Sequence, residues 1–354
     1  MAAIKDVARY AGYSVSAVSK YLKDPDSVRP DTRKKIEEAI RVLNYRPSMI
    51  ARALRTKNTN TLLLVTDEIL TVPSNEVIYH IQREAEKRGY AILIMTQDNI
   101  RKITHAQTSS LAMSAATVDG IIYTWVTDKQ LIREHANLMS STPKVSVSRA
   151  AFIPGVPNAS RDEEDAIYQT TKHLIGLGHD RIAMISNVED DELFNNRRYG
   201  FLRAMSEAGK RVYDDLRINN TMKYRNVYIG YEGMREIMDR SVRPTAIVTD
   251  NDFIAIGCCQ YCHEHGIRIP EDLAVTGSLN TPPAEIAYPP VTTTSFPSPQ
   301  IAEWVLETLM TMIRSGGSAE GIPENTCFPS ELIVRRSTDI TKPSFIVPEA
   351  RQII

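Results

Sequence analysis

Apolar, strand-like runs alternate with helix-like segments from Leu62 almost to the end of the chain, and this alternation constrains the fold most. The first runs are predicted strands at 62–65, 91–95, 119–123 and 144–147, with predicted helices at 77–88, 103–116 and 129–138. A second round begins with a predicted helix at 163–176 and ends with one at 300–313. Strands that are apolar on both faces and alternate with helices are typical of βαβ units. We therefore predict an α/β body of parallel sheets covered by helices.

The first 57 residues have a different, all-helical pattern. Ile4, Val7, Ala8 and Ala11 recur at helical spacing, and Gly12 follows where a left-handed residue ends a helix. Ser14 suits the N-cap of a second helix that runs to about Leu22. Two short helices joined by a tight turn with glycine are typical of a helix-turn-helix, whose second helix enters the DNA major groove.

A third predicted helix opens at Pro30, because proline suits the first helical position, and it carries an apolar face. Charge supports a nucleic-acid partner for this head. Residues 1–57 hold 13 Lys and Arg against 6 Asp and Glu, whereas residues 58–354 carry a net charge of −8. A small basic head on an acidic body is the electrostatic pattern of a nucleic-acid binder. The alternative is a solvated basic three-helix bundle that binds nothing.

Several motifs in a fixed order resemble the LacI/GalR (lac-repressor) family over residues 3–338. They lie at 4–8, 11–12, 18–19, 32–33, 43–47 and 51–55, and in the body at 118–122, 174–183, 197–201 and 244–252. The resemblance implies a helix-turn-helix domain at 1–46, a hinge helix and linker at 47–60, and a core at 61–338. That core is expected to have two lobes like those of periplasmic binding proteins. The expected limits are about 61–158 and 291–321 for the first lobe, about 159–290 and 322–338 for the second, and a loosely ordered tail at 339–354.

The resemblance also implies which head residues contact DNA. The residues expected to read base edges are Val15, Ser16 and Lys20. Those expected to support the second helix or to contact the DNA backbone are Ser14, Ser19 and Tyr45. In the hinge segment, Leu54 is expected to wedge between base pairs of the minor groove, flanked by Ala51 and Arg55. The alternatives are simple packing for Val15 and a flexible linker for the hinge. Ala3 stands where the family commonly has a hydroxyl residue.

Arg197 and Asn251 are the best candidates for binding an effector in the cleft between the lobes, with Asp165 and Tyr224 as further candidates. A guanidinium fork and a side-chain amide are groups that anchor hydroxyls, carbonyls or carboxylates of a small solute. An ion pair within the lobe is the alternative role of Arg197. Two segments depart from the family pattern, at 71–74 and at 277–280, and they remove an aromatic shelf and a ligand-binding carboxylate. The effector is therefore chemically unusual, or the pocket is degenerate and a protein partner regulates the chain.

The chain lacks the motifs of an enzyme, and we predict neither a cofactor nor a metal site. His179 has no catalytic motif around it and is expected to act structurally at a helix-to-strand corner. Cys258, Cys259 and Cys262 fall inside one predicted helix, where packing is expected and a redox or metal sensor is the alternative. No run approaches the 18 apolar residues of a membrane span, and the N-terminus has no signal segment, so a cytoplasmic protein is expected.

Together these features predict a sequence-specific DNA-binding transcriptional regulator. We expect a homodimeric repressor on a pseudo-palindromic double-stranded operator, controlled by a small, carbohydrate-related effector. The rival interpretation is a solute-binding protein or a sugar-processing enzyme with an incidental basic head.

Overall fold

The computed structural model of the chain describes residues 2–45, 59–67, 72–105, 118–126, 128–148, 152–187, 192–213, 217–220 and 226–344. The predicted hinge residues Ala51, Leu54 and Arg55 lie outside the described residues, and so does Tyr224. The chain divides into two compact units: a head, which ends at Asn60 and also includes Val118, and a body that begins at Thr61.

The head contains α1 (Ile4–Ala11), α2 (Val15–Lys23), a short 3-10 turn (Pro25–Ser27) and α3 (Pro30–Val42). Gly12 ends α1 in the left-handed conformation, with φ of 74°, as predicted. The small core of the head is formed by six buried apolar residues: Val7, Ala8, Ala11, Val18, Ile36 and Ala39. The predicted three-helix architecture is therefore confirmed.

The body alternates strands and helices in chain order. Its first elements are β1 (Thr61–Thr66), α4 (Val72–Lys87), β2 (Ala91–Thr96), α5 (Gln97–His105), β3 (Gly120–Thr124), α6 (Lys129–Leu138), β4 (Lys144–Val147) and β5 (Asn158–Arg161). Next come α7 (Glu163–Gly176), β6 (Ile182–Asn187), α8 (Glu192–Glu207), β7 (Arg217–Asn220), α9 (Asn226–Met238), β8 (Ala246–Thr249), α10 (Asp252–Glu264) and β9 (Ala274–Thr276). The last are α11 (Pro282–Ile286), β10 (Thr293–Thr294), α12 (Ser298–Arg314), β11 (Asn325–Phe328) and β12 (Leu332–Ile333).

Two parallel sheets define two lobes. The first lobe contains a six-stranded sheet in the order β11-β5-β4-β3-β1-β2, and the second a four-stranded sheet in the order β7-β6-β8-β9. In the first lobe, α4 and α12 pack on the sheet through residues such as Ile81, Val305 and Leu309. In the second lobe, α9 and α10 form one apolar cluster with the sheet, and α7 and α8 form another. The predicted α/β architecture is confirmed.

Two helices begin earlier than the sequence pattern indicated. Helix α4 begins at Val72 rather than near 77, and Pro73 falls in its first turn, where proline is tolerated. Helix α5 begins at Gln97 rather than near 103. Its first residues are polar and give no apolar periodicity, but Asn99 there accepts a hydrogen bond of 2.7 Å from the Thr96 hydroxyl. The sequence prediction was wrong at both starts because it followed apolar spacing alone.

The lobe limits also extend past those expected from the sequence. Strand β5 and strand β11 pair with each other in the sheet of the first lobe, with Asn158 opposite Asn325 and Arg161 opposite Phe328. The first lobe therefore reaches Arg161 and Phe328 instead of 158 and 321. Helix α7 starts two residues after Arg161, so one crossing between the lobes is very short.

Three buried cysteines pack inside α10. Cys258, Cys259 and Cys262 are at most 4% exposed, and burial raises the pKa of each thiol, to about 12 for Cys262. No group of three or more His, Cys, Asp or Glu side chains within the described ranges could hold a metal ion. Nor is any described helix long and apolar enough to cross a membrane. His179 hydrogen-bonds the Thr245 hydroxyl at 3.0 Å, a structural role at the corner before β6.

The buried His135 in α6 predicts a pH dependence of stability. Burial, reinforced by Lys144, lowers the pKa of His135 to about 4, and its Nδ1 lies 2.8 Å from the Tyr123 hydroxyl. In the unfolded chain a histidine has a pKa of about 6.5, so protons favour the unfolded state as the pH falls below that value. We expect the free energy of unfolding to fall by about 3 kcal/mol from this group between about pH 7 and pH 4.

Urea unfolding of the wild type and of His135→Asn at several pH values measures this contribution. The asparagine retains a polar partner for Tyr123 but does not titrate, so the variant should lose less stability on acidification. The difference between the two proteins removes effects of other groups, such as Asp252, whose pKa burial raises to about 6. Identical pH dependence in both proteins would show that His135 is not the group responsible.

Candidate functional site

The second helix of the head presents a short polar face. The Ser14 hydroxyl accepts a hydrogen bond of 3.2 Å from the backbone N–H of Ala17 and caps the start of α2. Val18 is fully buried in the head core, whereas Ser16 and Lys20 are exposed. These two residues are four apart and therefore lie on one face of the helix. That face is polar and open to solvent.

The other described head candidates have mixed roles. Val15 and Tyr45 are half-buried and pack against the head core, and Ser19 is also half-buried. Val15 therefore contributes to packing and keeps part of its side chain exposed. Asp6 accepts a hydrogen bond of 2.9 Å from the backbone N–H of Ala3, whereas Ala3 has no side-chain oxygen to cap the start of α1.

A set of contacts centred on Glu37 orients α2 against α3. The Tyr21 hydroxyl donates to Glu37 at 3.2 Å, and Arg33 donates to the same carboxylate oxygen at 2.8 Å. Arg33 also pairs with Asp26 at 2.7 Å. The hydrogen bond from Arg33 lowers the pKa of Glu37. These contacts link α2 to α3 and occupy the Arg33 guanidinium within the head.

In the body, a buried arginine links the two lobes. Arg161 ends β5 in the first lobe and is 1% exposed. Its Nη2 and Nε donate to the two carboxylate oxygens of Glu163, at 2.6 and 3.1 Å. Its Nη1 donates to the Ser278 hydroxyl at 3.0 Å, and Ser278 follows β9 in the second lobe. The guanidinium therefore binds groups of the second lobe from a strand of the first.

Glu163 binds a second guanidinium, that of Arg197. Arg197 Nε donates to Glu163 Oε2 at 2.8 Å, and the Arg197 side chain is 19% exposed. Burial by itself would raise the pKa of Glu163, but Arg161 and Arg197 outweigh it and hold the pKa near 2. Gly200 permits this arrangement, because a Cβ there would lie 2.1 Å from the Glu164 carbonyl oxygen of α7. The close packing of α8 on α7 brings Arg197 to Glu163.

Apolar side chains lie beside the arginine. Trp125 and Phe296 have ring centroids 5.7 Å apart, and the Arg161 guanidinium lies 5.5 Å from the centre of the Phe296 ring. Leu279 follows β9 of the second lobe yet belongs to the apolar cluster of the first. Trp125 and Leu279 have φ of 45° and 101°, conformations that are unusual for bulky residues. Strained backbone of this kind clusters at binding and switch regions.

A second contact between the lobes lies at the start of α10. Asp252 is fully buried and accepts hydrogen bonds of 2.6 Å from the Thr281 backbone N–H and from the Thr293 hydroxyl of β10. Arg335, which follows β12, donates to Asn280 at 2.7 Å. Strand β10 and the segment after β12 are thus hydrogen-bonded to the loop that carries Ser278 and Leu279.

The remaining effector candidates differ in their surroundings. Asn251 is nearly buried at the end of β8, and its Oδ1 accepts a hydrogen bond of 3.1 Å from the Ile254 N–H, so it caps α10. Asp165 accepts a hydrogen bond from Gln169 and lies 4.0 Å from Arg203. Arg161, Glu163, Trp125 and Phe296 were missed from the sequence. The signal available was the pair of charges flanking Asp162, where a predicted strand meets a predicted helix and where α/β proteins bind ligands.

A basic helix-turn-helix head joined to a two-lobed body of parallel sheets defines a DNA-binding regulator with a binding-protein-like core. Residues 3–48 match the model for bacterial regulatory proteins of the lacI family, and residues 171–338 match a periplasmic binding protein-like domain. The HTH-type transcriptional repressor PurR of Vibrio atlanticus (strain LGP32) is 30% identical over 315 residues, which cover 89% of this chain and 92% of PurR. The chain belongs to the LacI family of transcriptional regulators.

Solved structures share the fold. A lac repressor dimer bound to operator and the anti-inducer ONPF superposes with a TM-score of 0.78 at 21% identity, covering 95% of this chain and 99% of that one. A complex of the transcriptional regulator CelR with cellobiose has a TM-score of 0.67 at 23% identity, covering 95% of this chain and 100% of that one. At these identities the likeness supports the two-domain architecture and not the identity of a ligand.

The N-cap of α2 gives a testable prediction. Ser14→Ala removes the acceptor for the Ala17 N–H, and loss of such a cap costs about 1 kcal/mol of local stability. Hydrogen exchange of the α2 amides in the full chain should accelerate accordingly. Ser16→Ala is the matched control, because Ser16 is exposed on the same helix and should leave these rates nearly unchanged. Equal acceleration in both variants would exclude a capping role for Ser14.

Proposed function

We propose that this chain is a homodimeric repressor that binds a pseudo-palindromic operator and that its two-lobed body controls operator affinity. The main support for this proposal is the exposed face of α2 that bears Ser16 and Lys20. Helix α2 is held by its N-cap and by its contacts with α3. A hydroxyl and an ammonium on one exposed face are suited to base edges. By resemblance, Leu54 of the hinge segment adds a minor-groove wedge. Such a protein would act in the cytoplasm, where its DNA is.

A single head contacts few base pairs, and two-fold protein symmetry matches two half-sites of an operator. An exposed apolar edge supports a second copy as the partner. Strand β2 is an edge strand of the described six-stranded sheet, and its Leu93 and Ile94 are 47% and 37% exposed. Apolar edge strands tend to associate, and proteins that remain monomeric commonly protect them with charge or cover. The lac repressor structure that resembles this chain is a dimer on its operator.

The body is suited to control by a small polar solute between its lobes. Arg197 offers a partly exposed guanidinium at the second lobe, and Trp125 offers a partly buried ring at the end of β3. A guanidinium and an aromatic face are complementary to a carbohydrate-related metabolite that carries a carbonyl or carboxylate. CelR, with a similar fold, forms a complex with cellobiose. A solute that prefers one lobe arrangement would shift operator affinity by shifting that population.

Lys20 provides the test of the DNA-reading surface. Lys20→Ala should relax base preference at one position of each half-site, at a cost of roughly 1–3 kcal/mol. The measurement is a selection from random duplex DNA, followed by binding to the selected site and to single-base variants of it. Lys34→Ala, an exposed lysine of α3, is the control and should leave the base preference unchanged. An unaltered selected sequence for Lys20→Ala would remove Lys20 from the reading surface.

The strand edge provides the test of the dimer. Leu93→Asp places a charge on the exposed edge and should convert the dimer to a monomer. Operator affinity should then fall at least tenfold, which corresponds to a loss of about 1.4 kcal/mol of binding free energy. Sedimentation velocity on the full chain measures the association state. Leu138→Asp is the matched control, because Leu138 is exposed on α6 of the same lobe. Wild-type protein that sediments as a monomer would contradict the dimer, and a dimeric Leu93→Asp would move the interface elsewhere.

A further inference from the structure

The arginine that the sequence offers as an anchor for an effector already has a carboxylate bound to it. Glu163 Oε2 lies 2.8 Å from Arg197 Nε and 2.6 Å from Arg161 Nη2. The carboxylate is 7% exposed and the Arg161 side chain is fully buried, so water screens this contact little. Such a geometry is that of a bound carboxylate solute, except that the carboxylate belongs to the protein.

The loop after β9 in the second lobe contacts the same cluster of charges. This loop carries Leu279 directly after Ser278. Its side chain is 9% exposed and packs in the apolar cluster of the first lobe with Phe296. The neighbouring Ser278 hydroxyl accepts from Arg161. The loop therefore contacts the first lobe directly, through an apolar side chain and a hydroxyl.

Charge balance shows what Glu163 contributes. Among the described residues, two guanidinium groups contact this one carboxylate, and burying a cation without a partner is costly. Because Arg161 is buried and cannot lose its proton, it needs an anion in place. Without Glu163, an anion from solution would have to enter, and the exposed part of Arg197 marks the side from which it could do so.

We propose that Glu163 is a built-in ligand of the cleft, which holds the two lobes together and keeps the repressor competent for operator binding without a small molecule. This inference rests on the proposed function and specifies the regulation of the same site. Removal of the carboxylate should create a binding site for small carboxylates. A natural effector would then act by competing with Glu163 for Arg197 and would itself carry a carboxylate or a similar anionic group.

Chemical rescue tests the proposal. Glu163→Ala removes the methylene and carboxylate that acetate would replace. In the full-length protein its melting midpoint should fall by roughly 5–10 °C. Its affinity for the operator selected with the wild type should fall at least tenfold. Sodium acetate should restore both quantities with saturation, whereas sodium chloride at equal concentration should not. The fluorescence of Trp125, which contacts Phe296 beside Arg161, should follow the same acetate titration.

Three controls make the result decisive. Glu164→Ala removes the next carboxylate of the same helix turn, which pairs with Arg203, and should not respond specifically to acetate. The wild type should not respond because Glu163 occupies the site. Glu163→Gln fills the volume without the charge, so it should melt below the wild type and should also fail to respond.

Other outcomes would overturn the inference. These are equal effects of acetate and chloride on Glu163→Ala, an acetate response of the wild type equal to that of the variant, or a Glu163→Gln protein that melts and binds operator as the wild type does. If Glu163→Ala does not fold alone, refolding in acetate but not in chloride supports the proposal, and failure in both contradicts it. A wild type that binds no operator would instead refute the proposed function, and the melting data would still report on Glu163.

Discussion

The ion pair between Arg161 and Glu163 is the interaction on which the arrangement of the body depends. A guanidinium with no exposed surface requires an anion, and here that anion comes from the first residue of α7. The same carboxylate receives Arg197 from α8, and the same guanidinium receives Ser278 from the loop after β9. Three segments of the second lobe are therefore held to one strand of the first. Losing Glu163 would leave the buried Arg161 guanidinium without its carboxylate, whereas losing Arg161 would leave Glu163 paired with Arg197.

This arrangement offers a physical account of regulation in a two-lobed repressor. A regulator of this class needs its lobes in one arrangement, so that two heads can meet the two half-sites of an operator. A ligand achieves control by binding one arrangement better than the other. In this chain the anionic group that favours one arrangement is the Glu163 carboxylate of the protein itself. An effector would then have to replace the contact between Glu163 and Arg197. Its effect on operator affinity would be limited by the difference in free energy between its own contact with Arg197 and that of Glu163.

The sequence predicted the elements well where local signals are strong. The glycine after α1, the serine cap of α2 and the proline at the start of α3 each mark an end through backbone conformation, and helix α7 has the predicted bounds. The cluster of charges between the lobes was predicted only in part. Arg197 was named from its motif as an effector candidate, but its partner Glu163 is 34 residues away, and Ser278 is 117 residues from Arg161. Contacts of this kind depend on how α7, α8 and the loop after β9 pack together, and no local pattern encodes them.

The most direct test of this account is the operator affinity of the ligand-free, full-length protein. Purified wild type, extensively dialysed, is used to select its site from random duplex DNA, and its affinity is compared with that for unrelated DNA at the same salt concentration. We expect a pseudo-palindromic site that is bound about a thousandfold or more tightly than unrelated DNA, with no metabolite added. Selection that enriches no site until a small molecule is supplied would contradict the claim that Glu163 keeps the repressor competent by itself.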